Sequence, residues 1–129
     1  MLAITLCGIA NAFAQMHIST NLRVDLTWDS SKKVWNESSR NADELTFFDF
    51  NKDLTMFKHT TPTITSSYII KTSKADKENN KWEYGIVSDV GNPYTMTLDL
   101  KNNFVSFVYT KEGVIYAVQH VIKRVWYDE

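Results

Sequence analysis

A chain of 129 residues is one domain by length, and 43% hydrophobic residues is ordinary for a globular protein. A formal net charge of -1 supplies neither the basic face that nucleic-acid binding requires nor a polybasic patch for a membrane surface. One cysteine and four glycines exclude an internal disulfide framework and leave no glycine-rich phosphate loop.

The chain opens with MLAITLCGIANAFAQ, which carries no charged side chain. It is apolar through Ile9 and then reads Ala12-Phe13-Ala14, an A-x-A cleavage pattern. The expectation is a signal peptide over 1–14, cleavage after Ala14, and a secreted or periplasmic domain over 15–129. The span is too short to cross a bilayer, so no membrane insertion is expected. Cys7 falls inside this segment, which leaves the mature chain without a thiol nucleophile or a Cys-ligated zinc.

Period-2 alternation follows. Leu22, Val24, Leu26 and Trp28 alternate with Arg23, Asp25 and Thr27, which predicts a half-buried strand with the first set inward. Residues 36–44, NESSRNADE, read as a loop or one short helical turn. Strands are predicted over 45–50, 54–59 and 66–72. Trp82, Tyr84 and Ile86 mark another, and Tyr94, Met96, Leu98 and Leu100 the next. Two more cover 104–110 and 114–127. Asn-, Asp- and Gly-rich turns separate them, and Gly113 suits the left-handed position of a three-residue hairpin with a bulge. The last strand is apolar on both faces and long, so it is expected to bend or bulge, each half burying a different face.

Few motifs carry chemistry. Asp49, Asn51 and Asp53 alternate as an EF-hand loop begins, but its sixth and twelfth positions hold Leu54 and Thr60 instead of Gly and Glu. The stretch reads as a hairpin whose side chains bond the turn backbone. His17 is expected to be mobile and His59 exposed. His120 shares a face with Val118 and Ile122 and reads as a core or pocket histidine. Asp25 and Asp99 fall on the polar faces and are expected in solvent. No G-x-S-x-G elbow occurs. No metal and no cofactor are called for, and the chain reads as a non-enzyme. Asn36-Glu37-Ser38 is a glycosylation sequon.

The fold expected is all-β: an antiparallel meander of about eight strands, closed as a small barrel or folded as a curved sandwich. In strand count and order the architecture resembles the lipocalin-like group of secreted barrels. The Gly-x-Trp of that group is missing, because Leu26-Thr27 precede Trp28, so no ligand residue carries over. Aromatics are the compositional excess. Trp28, Trp82, Tyr84 and Tyr94 on inward positions, with His120, are the candidate ligand-binding residues. The function expected is binding of a small apolar molecule inside the barrel. The alternative is a protein-interaction module, an inhibitor, adaptor or envelope component, using the strand 114–127.

Overall fold

The computed structural model describes residues 15–128. The segment expected to be a signal peptide, with Cys7, lies outside them. Eight antiparallel strands follow in chain order: β1 (Met16–Asp29), β2 (Val34–Phe50), β3 (Met56–Thr60), β4 (Thr65–Asp76), β5 (Lys81–Ser88), β6 (Pro93–Asp99), β7 (Phe104–Lys111) and β8 (Val114–Tyr127). Each pairs with the next, and β8 pairs with β1, so the meander closes into a barrel. The short 3-10 turn Lys77–Asn79 joins β4 to β5. The all-β expectation holds, and closure decides for the barrel over the sandwich.

Eight strands enclose a bore that side chains just fill. Phe48, Phe50 and Phe57 are each at most 1% exposed and pack with Ile18, Ile86, Met96, Leu98 and Val105 in one cluster. Phe107 sets its ring edge-on to Phe48, with centroids 5.7 Å apart. Burying each phenylalanine contributes about 2–3 kcal/mol. The middle of the barrel is therefore packed. The room for a ligand is at the two ends. The lower end holds the start of β1, the end of β8 and the β2–β3, β4–β5 and β6–β7 turns; the upper end holds the other four turns.

Bulges decide which residues face in. Against β8, Asn21 is an extra residue of β1, since Thr20 pairs with Ile122 and Leu22 with Val121; against β2 the excess lies on β2, where Thr20 pairs with Thr46 and Leu22 with Ala42. Met16, Ile18 and Thr20 face the bore before Asn21. After it the inward register passes to Arg23, Asp25 and Thr27, since Arg23 lies opposite His120 and Asp25 opposite Val118. This corrects the inward face expected for β1: Leu22, Val24, Leu26 and Trp28 take the opposite face, where Val24 is nonetheless buried at 5% exposure. β8 bulges as expected. Ile122 pairs with Thr20, Arg124 with Ser19 and Val125 with Ile18, so Lys123 is the extra residue. Ile122 and Val125 both reach the core cluster, one from each half of the strand.

Three further expectations are corrected. Residues 36–44 belong to β2, because their polar side chains suit the exposed wall the strand forms above the barrel rim. Asp99 is 4% exposed, its Oδ1 accepting from the backbone of Lys101 and Asn102. The β7–β8 connection is a two-residue turn, since Lys111 pairs with Val114, and Glu112 and Gly113 both have positive φ.

Candidate functional sites at the two mouths

At the lower mouth the β2–β3 turn is tied by one side chain. Asn51 Oδ1 accepts from the backbone N–H of Thr55 and of Met56, and Asn51 O accepts from Leu54 N. This is the turn bonding expected for the Asp-Asn-Asp stretch, supplied by Asn51. It forces Leu54 into the left-handed region at φ 54°, a conformation costly for a branched side chain and found where a site needs it. Leu54, Trp82, Tyr84, Leu98 and Leu100 line a mostly apolar pocket of about 210 Å³, closed by Met16 and Tyr127, with Asn51 and Lys52 at its edge. Tyr127 donates its hydroxyl to Met16 Sδ at 3.5 Å, joining the first and last strands across the seam. Trp82 and Tyr84 are inward neighbours on β5, held by their partners Leu98 and Met96 on β6.

His17 locks the same seam. Its Nδ1 meets Asp49 Oδ1 at 2.5 Å and its Nε2 meets Asp128 Oδ1 at 2.9 Å, while its ring stacks on Trp126 at 5.4 Å. Burial pulls its pKa down, but the two carboxylates outweigh that and raise it. The expectation of a mobile His17 is therefore wrong: one imidazole ring bridges β2 and the segment after β8.

The upper mouth is different in kind. β6 and β7 stop pairing above Thr95 and Val108, and the gap forms a cleft of about 740 Å³ lined by Tyr94, Tyr109, Thr110 and Lys111 among others. Tyr94 meets Tyr109 edge-on at 5.6 Å, and Tyr109 stacks on Tyr116 at 5.4 Å. Below, His59 and His120 lie 5.1 Å apart. His59 is buried, not exposed as expected, because it stacks on Phe48 at 4.1 Å. Burial, then Arg23, holds His59 at about pKa 4. Burial, then His59 and Arg23, holds His120 at about 3 against the pull of Asp25. Both are neutral at ordinary pH, and His59 Nε2 and His120 Nδ1 have no hydrogen-bond partner among the described residues. Arg23 donates to Asp25 Oδ1 through Nε and Nη2, and Ser39 donates to Asp25 Oδ2. These bonds outweigh burial and hold the Asp25 carboxyl below its usual range.

The five candidate ligand residues thus separate. Trp82 and Tyr84 meet at the lower mouth and Tyr94 stands at the upper cleft. His120 is 1% exposed in the core between them. Trp28 lies on the outer face, its ring 5.3 Å from Trp35 at the tip of the β1–β2 hairpin. The lower pocket's Leu98 and Leu100 share Tyr94's alternation and were legible. Met16 and Tyr127 were not, because only closure brings residues from opposite ends of the chain together. Among the described residues, no three His, Cys, Asp or Glu side chains gather as a metal site. No family model matches the chain, nor does a curated protein or a solved structure.

Proposed function

We propose that this chain is a secreted, non-enzymatic barrel that holds one small, ring-sized apolar molecule at its lower mouth. The observation that carries the reading is the pocket of about 210 Å³ between Leu54, Trp82, Tyr84, Leu98 and Leu100. Its walls are aromatic and aliphatic, with polar atoms only at the edge, the composition of a small-molecule site. Its volume is close to that of cavities that take a single aromatic ring. A binding module is favoured over an enzyme because the most perturbed titratable groups, His59 and His120, line neither mouth. The alternative use of 114–127 as a docking strand has little free edge to offer, since β1 pairs β8 from Tyr116 to Tyr127 and β7 pairs it from Val114 to Val121.

Indole is a suitable probe for isothermal titration calorimetry. The expected result is one saturable site with Kd of roughly 0.1–1 mM, about -4 to -5.5 kcal/mol, in line with a ligand of that size. Trp82→Ala should weaken it about tenfold while circular dichroism shows the barrel intact. Heat that never saturates, or an unchanged Kd in Trp82→Ala, refutes the assignment.

A further inference from the structure

β2 is bonded very unequally along its length. β1 accompanies it from Val34 to Phe50, but β3 pairs only with Phe47–Phe50. The run Val34–Thr46 therefore presents a backbone edge with no strand partner among the described residues. It is the longest such edge of the barrel wall, and an unpaired edge is a template for another strand. Val34 and Trp35 are 44% and 41% exposed on it.

The side chains on that edge are arranged symmetrically. Ser38 is an extra residue of β2, because Leu26 lies opposite Glu37 and Asp25 opposite Ser39. The bulge turns Glu37 and Arg40 to one face, the outer face that also carries Trp35 and Ala42, while Asn36, Ser39 and Asn41 take the other. A two-fold axis through the bulge would then set Glu37 against Arg40 of a second copy. The same register sets Trp35 against Ala42, Asn36 against Asn41, and the position of Lys33 against that of Glu44. Every strand pair falls face to matching face, which an unbulged strand could not achieve at this register.

We propose that two copies of this chain associate edge to edge through β2, antiparallel about Ser38 and Ser39, continuing one barrel wall into the other. Opposite charges directly across an antiparallel pair support it, and like charges oppose it. Glu37 and Arg40 now pair within one chain, Arg40 Nη2 donating to Glu37 Oε1 at 2.7 Å; at the interface each is shared with the copy. An interface of one strand on one strand is small, so the dimer is a weak, salt-sensitive one.

Sedimentation equilibrium of the protein at low salt tests this. The expected result is a monomer–dimer equilibrium. Arg40→Glu and Glu37→Arg each weaken it about tenfold or more, and the double exchange Glu37→Arg with Arg40→Glu restores it. A thermal melt of each variant separates loss of fold from loss of pairing. A monomer throughout the millimolar range, single variants that dimerise as well as the parent, or a double exchange no better than the singles overturns the proposal.

Discussion

Acid should open this barrel through its two buried histidines. His59 is held at about pKa 4 and His120 at about 3, both against 6.5 in the unfolded chain. A depressed histidine pKa means that the unfolded state binds the extra proton, so stability is full above pH 6.5 and falls as the pH drops toward 4 and 3. For His59 a change of this size corresponds to about 3 kcal/mol. His120 adds to it, though not additively, because each imidazole disfavours the charge on the other. Against a total stability of about 5–15 kcal/mol, that removes a large share of the barrel's stability by pH 4. His59→Phe keeps a ring stacked on Phe48 and removes one of the two titrations. Urea unfolding followed by tryptophan fluorescence, each protein referenced to its own value at pH 7, should show the variant losing about 3 kcal/mol less than the parent by pH 4. Parallel curves for the two proteins would refute the argument.

Three other predictions concern the seam and the turns. His17 has a raised pKa, so its contribution is full below pH 6.5 and fades as the pH climbs through the folded value. His17→Phe, which keeps a ring over Trp126, should abolish a decline of about 1 kcal/mol on the alkaline side; the figure is modest because both carboxylates are half-exposed. Leu54→Asn relieves the positive φ and should raise the melting temperature by a few degrees while weakening indole binding, and an unchanged melting temperature would deny the strain. A Cβ on Gly85 would sit 2.4 Å from Thr72 Oγ1, so Gly85→Ala should cost about 1–3 kcal/mol by chemical denaturation. Thr72→Ala should recover part of that loss in the double variant, and strict additivity would show that the clash is not the cause.

The strand count, the meander and the bulged last strand were legible because alternation and turn residues are local signals. The inward face of β1 was not. Leu22-Arg23-Val24-Asp25-Leu26 alternates cleanly in either register, and Asn21, the extra residue against β8 that decides between them, leaves no periodic trace. Residues 36–44 hid a strand because β2 there is exposed on a wall above the rim, where nothing requires apolar side chains. His17 and His59 were misread for a related reason. Their environments come from Asp49 and Asp128 in one case and Phe48 in the other, at separations along the chain that no short pattern records. The lower mouth was half legible, through Trp82, Tyr84 and Leu98. Its remaining walls required knowing that the first and last strands meet.

A two-dimensional amide NMR titration with indole tests the central claim most directly. The account predicts saturable shifts concentrated on Met16, Leu54, Trp82, Leu98 and Leu100, with the amides around Tyr94 and Tyr109 unmoved. Shifts gathered at the upper cleft, or spread over the surface without saturation, would contradict it.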